Sequence, residues 1–151
     1  MSDTLIQQAA RLMQEQVAAY QRLDGACVQL SAALVRGEPS IIESLTRAGE
    51  SEMLKMRSRL LQLMSTLTAF ADARATSPES NRLTPETRAS FEKASTELMR
   101  VAHDFERTRT RAAALANNGS TFTTACIQTC GIQPTTYRAP YARRGEASRW
   151  A

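Results

Sequence analysis

Residues 4–36 keep apolar side chains at a helical period for more than four heptads, and this constrains the fold more than any other feature of the chain. With Ile6 as position a, the a positions are Ile6, Met13, Tyr20, Cys27 and Leu34, and the d positions are Ala9, Gln16, Leu23 and Leu30. The neighbouring g positions, Leu5, Leu12, Ala19, Ala26 and Ala33, widen this seam into one broad stripe. No proline interrupts it. The segment predicts a single helix, roughly 45–50 Å long at ~1.5 Å per residue. A stripe of that width must be covered by other elements.

The next residues supply the first of them. Gly37 suits the left-handed position after a helix, and Pro39 suits the first turn of the following one. A break this short turns the second helix back antiparallel to the first. Over 39–74 its stripe reads Ile42, Leu45, Gly49, Met53, Met56, Leu60, Leu63, Leu67 and Phe70. The two consecutive steps of four around Gly49 are a stutter, which locally unwinds a left-handed supercoil. Residues 75–83 read as a loop.

Thr84-Pro85-Glu86 then marks a helix start: a capping hydroxyl, a proline in the first turn, and an acid at the positive end of the helix dipole. The third stripe is Phe91, Ala94, Leu98, Val101, Phe105, Thr108, Ala112 and Leu115. Asn117-Asn118-Gly119 offers a stop. The period nevertheless runs on through Gly119, Phe122 and Cys126, so continuation to about Thr129 is the reading adopted and a stop at Gly119 the alternative.

Composition agrees with three helices and little else. Aromatic residues make up 5% and glycines number 6, too few for an all-β sandwich. The expected architecture is all-α, an elongated antiparallel three-helix bundle or coiled coil with a flexible C-terminal tail. Its helices span about 4–36, 39–74 and 84–129, with a bundle over 1–130 and a tail over 131–151. The formal net charge is +4, and in 119–151 a single acid, Glu146, stands against Arg138, Arg143, Arg144 and Arg149. Three of the four excess charges therefore lie beyond residue 118, and the helical body is near neutral.

The sequence assembles no active site. A di-metal carboxylate centre in a bundle needs Glu-x-x-His pairs facing inward. The single histidine, His103, has Arg100 three residues before it and falls opposite the core stripe. Cys126 and Cys130 have no second pair and no nearby histidine to complete a zinc site. Cys27 sits at a core position as a small hydrophobe. Glu92, Glu97, Asp104 and Glu106 lie among Lys93, Arg100, Arg107 and Arg109 at the spacing of surface ion pairs. No Gly-x-Ser-x-Gly elbow and no glycine-rich phosphate loop occurs. The expectation is a non-enzyme with no cofactor, no metal and no small-molecule substrate. The N-terminus has no apolar signal core, no run approaches a membrane span, and the three cysteines have no framework spacing, so a reduced cytoplasmic chain is expected.

Two features point to partners. The tail interleaves Tyr137, Tyr141 and Trp150 with its arginines, as single-stranded nucleic-acid binders do, although the body has no basic helix face. Phe122, Cys126 and Ile127 carry apolar residues past the reach of the second helix, as a docking helix for another protein would. Coverage by the tail, or dimerisation through this end, is the alternative.

Three long helices with a Gly-Glu-Pro break resemble the FlgN-like flagellar export chaperones. The resembling residues are Ala32-Ala33-Leu34-Val35-Arg36-Gly37-Glu38, then Ile41, Ile42, Leu45 and Glu50, and Asn118 at the end of Leu115-Ala116-Asn117-Asn118. The segment from Tyr137 to Gly145 is similar to the family's C-terminal tyrosine-and-glycine stretch. The resemblance covers roughly residues 5–145. It implies a cytosolic chaperone that binds hook-associated (hook–filament junction) proteins and delivers them to the flagellar type III export apparatus. Recognition would be helix-in-groove. The candidate residues for client binding are Leu115, Asn118, Phe122 and Ile127, with Tyr137 and Tyr141 from the tail. Asn118 rests on the motif, and Leu115, Phe122 and Ile127 rest on the period. A structural coiled-coil adaptor or homo-oligomer is the second reading, and nucleic-acid binding through the basic tail is the third.

Overall fold

The structure, a computed structural model, describes residues 2–78 and 82–129. Three helices account for nearly all of them: α1 (Ser2–Arg36), α2 (Pro39–Thr76) and α3 (Pro85–Thr129), with no strand among the described residues. The fold is all-α, a three-helix bundle. Helix α3 does not stop at Asn117-Asn118-Gly119 but runs to Thr129. By packing the chain divides into two units, Met1–Ala116 and Asn117–Ala151, and the interhelical contacts below all lie in the first.

The turn between α1 and α2 is local chemistry. Gly37 takes φ +67°, where a Cβ is strained. Glu38 N–H then reaches back to Ala33 O at 3.1 Å, and Gly37 N–H to Leu34 O at 3.4 Å, which closes the end of α1. Pro39 opens α2 as expected. Gly37→Ala would leave the surroundings open, since nothing lies within 4 Å of the added Cβ. The strain alone should lower the unfolding free energy by about 1 kcal/mol, measurable by urea denaturation. An unchanged midpoint would show that the turn does not hold this conformation in solution.

Interhelical bonds fix the directions. Arg22 of α1 donates to Glu52 of α2 at 2.7 Å, and Gln16 donates to the Met56 carbonyl at 3.3 Å, so α1 and α2 are antiparallel. Helix α3 begins beside the start of α1. The Thr84 N–H donates to Asp3 at 3.1 Å, and Gln7 donates to the Thr87 hydroxyl at 3.5 Å. The Thr84 hydroxyl caps α3 by accepting the Thr87 N–H. Helices α1 and α3 are therefore parallel, in an up-down-up order.

Two core layers follow from the stripes. Ala9, Ala10 and Met13 pack with Leu63 and Ala94, flanked by Leu12, Leu67, Phe91 and Leu98. Farther along, Ala19 and Leu23 pack with Met56 and Phe105, flanked by Tyr20 and Cys27. The Tyr20 and Phe105 rings lie 5.5 Å apart at 51°. The stripes expected for α1 and α3 are the ones that face inward.

Helix α2 differs. Met53 and Leu60, expected in its core stripe, are 53% and 48% exposed. Facing the bundle one residue earlier are Glu52 and Arg59, with Thr66 buried in place of the half-buried Leu67. The observed inward set (Ile42, Leu45, Gly49, Glu52, Met56, Arg59, Leu63, Thr66, Phe70) alternates three and four without a fault, so the stutter disappears. The physical reason is polar matching. Glu52 accepts from Arg22 and lies 3.6 Å from Arg59, a charged cluster that no apolar stripe would have chosen, in which Arg59 Nη1 is buried without a hydrogen-bond partner.

The pair confers a pH dependence. The hydrogen bond from Arg22 holds the Glu52 carboxyl below the ordinary carboxylate range, against some desolvation. The folded state thus releases this proton more readily than the unfolded chain, whose Glu titrates at about 4.3. The stabilisation is complete above that value and is lost as pH falls through the lower folded one. Urea unfolding between pH 6 and pH 3 should show a steeper loss in wild type than in Glu52→Gln. Parallel acid limbs would count against the pair.

Candidate protein-docking groove

Beyond the Tyr20–Phe105 contact, α1 and α3 present small side chains to each other. Ser31 and Ala32 on α1 and Thr108 on α3 border the space between the two helices. Helix separation follows the side chains at the contact, and here it leaves a groove of about 830 Å³. Taking a helix as ~10 Å across with a ~5.4 Å pitch, that volume matches about two turns of α-helix.

The α1 wall carries an apolar strip. Val28, Ala32 and Val35 stand at i, i+4 and i+7 on one face, and Val28 and Val35 are 57% and 75% exposed. The α3 wall combines the half-buried Leu115 with Asp104, Arg107, Thr108 and Arg111. Asp24 and Arg36 complete the lining from α1. Asp104 is held by Arg100 at 3.0 Å, and Arg36 lies 3.7 Å from Glu38. Arg107 and Arg111, one turn apart and exposed, have no ion pair among the described residues. The groove thus offers an apolar strip beside two available guanidinium groups. A smaller hollow of about 480 Å³, with Val17, Ala89 and Ala94 in its walls, lies nearer the helix starts.

Of the six residues expected to contact a client, Leu115 lines this groove. Asn118 belongs to the second unit and is exposed on α3. The side chains of Phe122 and Ile127, and Tyr137 and Tyr141 altogether, lie outside the described residues, as do the side chain of Cys126 and Cys130. Val28 and Val35 were not among the expected residues. Their signal was present in the sequence as a second apolar line, Val28–Ala32–Val35, outside the heptad stripe.

Other reactive groups lie elsewhere. His103 is exposed on α3. Cys27 is half-buried against the second core layer, where burial and then Asp24 push its thiol up, against the pull of Arg109. Exposed ion pairs occupy the α3 surface at the expected spacing, Glu97–Arg100–Asp104 and Glu106–Arg109. Among the described residues no group of three or more His, Cys, Asp or Glu could hold a metal ion, and no helix is long and apolar enough to cross a membrane.

No family model, no curated protein and no solved structure matches the chain. Geometry and residue chemistry therefore carry the functional reading of the groove.

Proposed function

We propose that this protein holds an amphipathic helix of a client protein in the groove between α1 and α3. More specifically, it is a cytosolic chaperone of flagellar type III secretion that binds hook-associated proteins before export. One observation carries the docking reading: a helix-sized groove whose apolar wall, Val28–Ala32–Val35, is largely open to solvent. The flagellar assignment rests on the resemblance around Ala32–Glu38 and at Asn118. The fitting client helix has apolar residues at i, i+4 and i+7 and acidic residues one turn apart to meet Arg107 and Arg111. Binding is the whole activity, with no catalytic step and no cofactor.

The first test is co-expression with a hook-associated protein of the same organism, followed by co-purification. The expected result is a soluble complex, and weaker capture when residues 119–151 are removed, because Phe122, Ile127, Tyr137 and Tyr141 go with them. A hook-associated protein that stays aggregated and uncaptured would refute the flagellar assignment. The second reading, a structural adaptor or homo-oligomer, is favoured by the exposed stripe on α2.

A further inference from the structure

Helix α2 turns Glu52, Arg59 and Thr66 toward the bundle beside Met56 and Leu63, and leaves five large apolar residues facing away from it. Met53, Leu54, Leu60, Leu61 and Met64 are 53%, 69%, 48%, 62% and 58% exposed. They fall on one helix face, with Arg57 in the middle and Glu50 at one end. At roughly 100 Å² of buriable apolar surface each, they form a patch on the order of 500 Å². That is toward the upper end of the largest apolar patch on a typical monomer, roughly 300–600 Å², and such patches are often functional. None of the five lines the groove between α1 and α3, so the two surfaces are separate.

We propose that this face is the interface between two copies of the chain, paired through α2 in antiparallel fashion about a two-fold axis. The patch is self-complementary in that direction. Its two apolar clusters, Met53–Leu54 and Leu60–Leu61–Met64, flank Arg57, so reversal lays the first cluster of one copy on the second cluster of the other. An axis between Arg57 and Leu60 sets Met53 opposite Met64 of the second copy. Each Arg57 then lies along Leu60 of the second copy with its guanidinium directed outward. The parallel alternative in register would set Glu50 on Glu50 and Arg57 on Arg57, like charge on like. Two such faces remove on the order of 1,000 Å², and the stems of Glu50, Arg57 and Thr68 bring the total near the ~1,200 Å² lower bound of specific interfaces. An interface of that size gives a dimer that dissociates on dilution rather than a permanent one.

The test is sedimentation equilibrium of the full chain over about 1–200 μM, for wild type, Leu54→Glu/Leu61→Glu and Met99→Glu, with circular dichroism on each. Met99 is 72% exposed on α3 and serves as the control. The expected outcome is a twofold rise in mass with concentration for wild type and Met99→Glu. The α2 double variant should remain a monomer with unchanged helicity. A wild-type chain that stays monomeric to 200 μM would overturn the proposal and leave the face to a different protein. A double variant that still doubles its mass would place the interface elsewhere and overturn it too. Because the variants leave the groove intact, client capture reads the chaperone proposal independently.

Discussion

Phe105→Ala is expected to lower the free energy of unfolding by about 3–4 kcal/mol, the largest single effect in the bundle core. Phe105 is 8% exposed and closes the second core layer against Ala19, Leu23 and Met56. Truncation removes that burial, leaves a cavity, and takes away the ring that Tyr20 meets at 5.5 Å, a pairing worth ~1 kcal/mol beyond its area. Thermal unfolding should fall by about 10–15 °C relative to wild type. A shift of only two or three degrees would mean that the layer is not packed as described.

The second large effect is on binding. Val35→Asp combined with Leu115→Asp should weaken client binding at least tenfold while leaving the melting temperature within a few degrees of wild type. Val35 is 75% exposed and contributes little to the folded chain alone. In a complex each residue is covered by the client helix, and full burial of such a side chain stabilises by roughly 1.5–3 kcal/mol. A carboxylate in its place also leaves a charge facing an apolar surface without a partner. Arg107→Glu with Arg111→Glu should act differently. Rim charges steer encounter, so the association rate should fall at low salt and recover toward wild type as salt is raised. A salt-independent loss would indicate that the two arginines are buried anchors instead.

How much of this was legible in the sequence depends on the helix. Helices α1 and α3 each have one dominant apolar stripe, so period alone located Ile6, Met13, Leu23, Val101 and Phe105 in the core. Helix α2 has two apolar lines a residue apart, and hydrophobicity favours the wrong one. What rotates it is the hydrogen bond from Arg22 to Glu52, with Gln16 bonded to the Met56 carbonyl. Those pairings join residues 30 to 40 positions apart in the chain, and no local pattern reveals them. The groove was half legible. Leu115 stood at the end of a faultless stripe, whereas Val28 and Val35 lie off the heptad seam. They line the groove from α1 and are 57% and 75% exposed, which follows from how α1 and α3 pair.

The central claim is that the α1–α3 groove is where a client helix docks. It is tested most directly by titrating the purified full chain with a hook-associated protein, using wild type and Val35→Asp/Leu115→Asp in parallel by calorimetry. The account predicts saturable binding for wild type and a dissociation constant at least tenfold higher for the variant, with helicity unchanged. Binding by the variant within twofold of wild type would contradict it.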